Sequence, residues 1–166
     1  MQAMLLATFF AGSGLLTFQI YHLASKTGND ALQFLPGLPF AAACSFRFMR
    51  PRIRALLGLV LSCGVWVVAF RIGTVFSMKM HPIAALAIAG LIGAVGVTAA
   101  TGIGCRSLFS PPSLAGAALL GAMTGAPFGL IPGNSQQENL ILAISFPLWQ
   151  IAVGLWLWRW CATTER

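Results

Sequence analysis

Five stretches of this 166-residue chain, residues 4–24, 55–76, 82–104, 111–131 and 139–160, hold almost no charge: only Arg71 inside the second and Arg159 in the last turn of the fifth. Each runs to roughly 20 residues, the length an α-helix needs to cross about 30 Å of hydrocarbon. A chain that is 58% hydrophobic and 8% charged lies far from a soluble globular domain, where about a quarter of residues are charged. The sequence therefore predicts an all-α polytopic transmembrane bundle of five spanning helices. Residues 1–166 form a single integral membrane domain, with no length left for a second.

The remaining charge is strongly basic, +7 overall. In a soluble protein this would suggest nucleic acid, but no basic stripe with interleaved aromatics stands outside the apolar runs. Basic residues collect instead in short loops, as they do on the cytoplasmic side of membrane proteins. The densest group is Arg47, Arg50, Arg52 and Arg54. Its expected role is a topology anchor, with an anionic-lipid site as the alternative. If that cluster is cytoplasmic and five helices span, helix parity puts Lys26, Arg106, Arg159 and Arg166 on the same side. Lys79 and Glu138 fall opposite. The N-terminus is then outside and the C-terminus inside the plasma (inner) membrane. Segment 34–48, interrupted by Pro36 and Pro39, is expected to be a short interfacial or re-entrant element. Were it to cross, the N-terminus would change sides. No Lys or Arg precedes the first apolar run, so the run is read as a retained helix rather than a cleaved signal.

Local signals mark the helix ends. Asn29 or Asp30 can cap a short helix after the first loop. Pro82 suits a first helical turn, and Ser110 before Pro111-Pro112 reads as a cap with its first turn. Pro132-Gly133-Asn134 breaks the fourth run. Ser135 with Glu138 three residues on forms a capping box for the fifth.

Helices in lipid associate through small residues that let backbones approach. Gly96, Ala100 and Gly104 recur every four residues, as do Gly121, Gly125 and Gly129, with Ala117 extending the second row. Both rows are expected to be packing ridges; the functional alternative is a conduit or hinge. Segments 89–94 and 115–122 also resemble each other, as any two Ala/Gly-rich helices would.

The fifth run places Ala143, Pro147, Gln150 and Gly154 on one helical face, beside Trp149, Val153, Trp156 and Trp160. Trp156, Trp158 and Trp160 fit an interfacial belt next to Arg159. Gln150 and Trp149 lie near mid-bilayer, where an amide needs a partner or water. An interhelical hydrogen bond would satisfy it structurally. The alternative is a solute site around Gln150 and Trp149, with Ser145, Pro147 and the Gly121–Gly129 ridge as walls and Arg71 at the outer mouth.

The side-chain inventory argues against catalysis. The acidic residues Asp30, Glu138 and Glu165 all lie outside the apolar runs, leaving no intramembrane carboxylate for a proton relay. The five-span topology sets His22 and His81 on opposite faces, too far apart to share a metal or haem. Cys44, Cys63, Cys105 and Cys161 form no C-x-x-C pair and are expected to be free thiols. The expectation is a non-enzymatic protein without metal or cofactor. It would be a carrier or channel protomer for a small neutral or anionic solute, or else an accessory subunit packing through its glycine faces. Its partners would be the lipid bilayer and either a homo-oligomer or a larger membrane complex, with no nucleic acid.

Overall fold

The computed structural model describes residues 2–27, 35–49, 51–130 and 135–162. These form α1 (Gln2–Thr27), α2 (Leu38–Phe48), α3 (Arg52–Ser77), α4 (Pro82–Gly102), α5 (Pro111–Gly125) and α6 (Ser135–Ala162). A 3-10 turn, Arg106–Phe109, joins α4 to α5, and a second, Ala126–Leu130, extends α5. Among the described residues there is no strand. All the helices but α2, with α5 counted together with its 3-10 extension, make five spans long and apolar enough to cross a membrane, so the chain is an all-α polytopic bundle. The readings placed on Asn29, Asp30, Arg50, the break at Pro132-Gly133-Asn134, and the Ser135 capping side chain fall outside the described residues.

Several helix starts follow their local chemistry. Pro82 opens α4, and His81 caps it by accepting the Ile83 N–H on Nδ1 at 3.4 Å. Ser110 has the extended cap conformation before Pro111-Pro112. Its hydroxyl makes no capping bond, however, and is buried without a partner. The expected side-chain cap is therefore absent, and the two prolines, which need no N–H partner, start the helix.

α4 is the central plank, with α3 on one side and α5 on the other. α1 packs along α6, while α2 wedges between α1 and α3 and also touches α4 and α6. α3 does not pack along α1 or α6 among the described residues, although the Trp66 and Phe146 rings meet across the gap with centroids 5.8 Å apart. The gap between them is what α2 partly fills.

α2 is the element that decides the topology. Its 11 residues span about 16 Å, half the hydrocarbon thickness. Its N-terminal Gly37 lies against the Trp66 ring, halfway along α3. Its far end reaches the start of α3, where the Met49 side chain packs over Gly58 and Gly104. α1 runs antiparallel to α6: Phe10 covers Gly154, Gly14 meets Pro147, and the Tyr21 ring lies tilted against Phe146 with centroids 5.7 Å apart. The Ser107 hydroxyl donates to the Trp160 carbonyl at 3.0 Å. The start of α1, the end of α2, the start of α3, the α4–α5 turn and the end of α6 therefore share one end of the bundle.

That arrangement corrects the expected topology. α1 and α6 are antiparallel, so the Gln2 and Ala162 helix ends lie together rather than on opposite faces. Arg47, Arg52, Arg54, Arg106 and Arg159 are all at this basic end. Lys26 is not with them; it lies at the distal end with Lys79 and Glu138. His22 and His81 also share the distal end instead of facing each other across the membrane. The physical reason is that α2, at half length and with Pro39 in its first turn, leads to the basic end without supplying the 20-residue apolar run by which crossings are recognised.

Candidate functional site

Because α2 fills only half of the gap between α3 and α6, a cavity of ≈ 460 Å³ is left beyond its N-terminal turn. Its walls are aromatic: Phe40 from α2, Trp66 and Phe70 from α3, Phe128 after α5, and Phe146 and Trp149 from α6. These rings brace each other edge to face, Phe40 on Trp149 at 5.2 Å and Phe128 on Phe146 at 5.0 Å, the arrangement their quadrupoles favour. Ala69, Ala89, Gly90, Gly93 and Gly125 make the floor. Small residues there leave volume that larger side chains would fill. Thr74 and Ser77 of α3 and Tyr21 of α1 reach toward the distal end, and Thr74 is exposed as well as lining the cavity, which sets it at the mouth.

No Asp, Glu, Lys, Arg or His is among the described lining residues. The polar groups are neutral. Ser62 Oγ, Trp66 Nε1 and Trp149 Nε1 are buried without a partner in the protein. An unmade hydrogen bond of this kind costs about 1–3 kcal/mol; Ser45, Thr98, Thr101, Ser110 and Ser113, away from the cavity, carry buried unpaired hydroxyls as well.

Gln150 is 1% exposed and borders the cavity, but its amide is committed to α1. Nε2 donates to Thr17 Oγ1 at 2.8 Å, and the Ser13 hydroxyl lies 2.5 Å from Oε1 while also 2.9 Å from the Phe10 carbonyl. The polar core of Ser13, Thr17 and Gln150 thus clamps α1 to α6. Gly14 lies between the two α1 residues, where any Cβ would fall on the Pro147 backbone. Proline on α6 and glycine on α1 meet where the helices come closest. Removing the amide by Gln150→Leu is expected to lower stability by about 1–2 kcal/mol, two interhelical bonds of the strength measured in membranes. Thermal unfolding in detergent checks this; an unchanged midpoint would show the clamp to be idle.

The other residues singled out in the sequence are dispersed. Trp149 is 7% exposed and lines the cavity. Ser145 is buried but does not line it, and Arg71 is on the exposed face of α3, with Phe70 and Thr74 on the cavity side. The two glycine rows do not meet each other. Gly121 and Gly125 cross Gly90 on α4, and Gly129 sits against Ile83. Gly96 faces Val65 on α3 instead, Gly104 lies beyond α4 under Met49, and Ala100 is buried. Arg47, Arg52 and Arg54 are exposed at the basic end. None of the four cysteines is in a disulfide, and Cys44 is fully buried.

Most of the cavity wall went unnoticed in the sequence, yet α3 carried a signal. Ser62, Trp66, Phe70, Thr74 and Ser77 recur at three- and four-residue intervals, the spacing of one helical face. A stripe of hydroxyls and aromatics down a membrane helix is not what lipid alone would select. No family model, no curated protein and no solved structure matches the chain.

Proposed function

We propose that this chain is a non-enzymatic carrier or channel protomer of the plasma (inner) membrane, handling a small, neutral, largely apolar solute that bears hydrogen-bond acceptors. The observation that carries the reading is the aromatic cavity between α3 and α6, reaching from the distal end to the middle of the bundle. A few polar groups in an apolar concave lining are the usual form of a small-molecule site. Trp66 and Trp149 can only donate, and Ser62 can donate or accept; all three atoms are enclosed by protein, so an acceptor-bearing solute would engage them by drawing their side chains into the cavity. Of the two solute classes expected from sequence, the neutral one fits better. An anion at this depth would meet no countercharge, and an unpaired charge in the membrane interior is costly. The accessory-subunit alternative needs the main glycine ridge turned outward, whereas Gly121 and Gly125 are buried against α4.

The positive-inside tendency assigns the basic end to the cytoplasm, with α1 starting and α6 ending there and the cavity mouth outside. In a chain with its native cysteines replaced, Gln2→Cys and Phe109→Cys are expected to react with an impermeant maleimide only from the cytoplasmic side, and Met80→Cys only from the other. All three positions are exposed. Labelling of Gln2→Cys and Met80→Cys from the same side would refute the arrangement.

The function is tested by native mass spectrometry of the purified protein. A neutral adduct that survives gentle activation and is released on denaturation supports a solute site. A bare protein mass after mild extraction, with no stabilisation by any neutral acceptor-bearing solute in a thermal-shift panel, would end the proposal.

A further inference from the structure

A second concavity lies on the other side of α2, between it and the first half of α1, with a volume of ≈ 730 Å³. Pro39, Ala42, Ala43 and Phe46 form its α2 wall at the spacing of one helical face, and Gly12 of α1 faces it with nothing within 4 Å of where a Cβ would stand. This groove is independent of the cavity facing α3. Because α1 and α2 run in opposite directions, Leu16 and Pro39 mark its mid-bilayer limit, and Thr8 and Arg47 its basic limit. From Thr8 to Leu16 it follows about 12 Å of helix. Its outer side is open, since Phe9, Leu16 and Phe46 are each about half exposed or more, and in a bilayer that side meets acyl chains.

The charge at one end identifies the occupant. Arg47 lines the groove where it reaches the basic end, its guanidinium 5.8 Å from the centroid of the Phe48 ring. Arg52 and Arg54 are exposed on the neighbouring start of α3. The described acidic residue, Glu138, is at the opposite end of the bundle. We infer that this groove is a binding site for an anionic phospholipid, with one acyl chain lying between α1 and α2 and the phosphate held by Arg47. Guanidinium matches phosphate oxygens in pairs, and the apolar groove leading from it into the hydrocarbon selects a lipid rather than free phosphate. A second copy of the chain fits poorly: a two-fold contact through this groove would bring two Arg47 side chains together with no carboxylate between them.

The inference does not depend on the solute site. Its test is lipid retention by the intact protein, purified from vesicles of equal phosphatidylglycerol and phosphatidylethanolamine and read by native mass spectrometry. The wild type is expected to retain phosphatidylglycerol preferentially. Arg47→Gln should weaken that preference by roughly fivefold, the effect of about 1 kcal/mol per basic residue at a lipid surface. Gly12→Leu, which fills open groove and changes no charge, should remove retention of both lipids while the melting temperature holds. Equal retention of the two lipids by the wild type would overturn the site. So would loss in Arg47→Gln with full retention in Gly12→Leu, which would mean a charged surface without a groove. A dimer that Gly12→Leu dissociates would overturn it in favour of a second copy.

Discussion

Gly121→Ala is expected to be among the most destabilising single-methyl changes in this protein. A Cβ at Gly121 would stand 2.5 Å from the Ala94 Cβ and 3.0 Å from the Gly90 carbonyl carbon, and closer still to the Gly90 oxygen. Real Cβ atoms do not approach that closely, and a backbone carbonyl cannot rotate away as a side-chain tip can. α4 and α5 must therefore separate, and α4 is held from behind by α3. Overpacking of this kind costs about 3 kcal/mol at the upper end of its usual range. Alanine's better helix propensity returns about 1 kcal/mol. The net loss of about 2 kcal/mol corresponds to a melting temperature lower by roughly 4–8 °C for a chain of this size. Gly64→Ala is the matched control. It has the same propensity gain and nothing within 4 Å of the new methyl, so it should be neutral or stabilising. Thermal unfolding of both variants in one detergent decides the matter. If they shift the midpoint in the same direction, close backbone contact at Gly90 is not what holds α4 to α5.

The contrast between those two glycines also measures how far the sequence could be read. Glycines every four residues announce a close helix contact, and Gly121 and Gly125 make one. The row does not say which partner face it meets. Gly90, outside the Gly96–Ala100–Gly104 row, turned out to be the partner, because Gly96 is rotated toward Val65 of α3. Periodicity fixes a face within one helix, whereas the pairing of faces depends on how neighbouring helices cross. The five long spans were legible because length and lack of charge are properties of each helix alone. The place of α2 was not, because α2 is half-length and is held by Phe10, Trp149 and Trp66 from three other helices. Reading it as interfacial put Lys26, His22 and the Gln2 end of α1 at the wrong ends of the bundle relative to the arginines. Gln150 was legible as a mid-membrane amide needing a partner. Its partners, Ser13 and Thr17, lie over 130 residues away in the chain, and neither stands out among the many hydroxyls of such a sequence. The aromatic cavity was the least legible feature, since a void is the space that six elements leave between them and no residue encodes it.

Blocking the mouth of that void is expected to weaken solute binding about tenfold or more while sparing the fold. Thr74 is the position for it. It lines the cavity and is exposed, and its hydroxyl bonds only the Phe70 carbonyl of its own helix at 3.0 Å. Thr74→Trp therefore breaks no contact between helices and places an indole across the mouth, beside Phe70. A solute that enters from the distal end would lose its path, and one that binds deeper would lose volume. Forcing a bulky ring into occupied space costs about 1–3 kcal/mol, which lowers affinity by about tenfold or more. The melting temperature of the solute-free protein should stay near that of the wild type, because no buried group is removed. Thr74→Ser, which keeps both the opening and the hydroxyl, should bind normally. The comparison reads a site against a packing defect. A packing defect would lower the melting temperature of Thr74→Trp, whereas a site loses its co-purified solute at constant stability. Should Thr74→Trp retain the solute at wild-type occupancy, the cavity between α3 and α6 is not where this protein holds it.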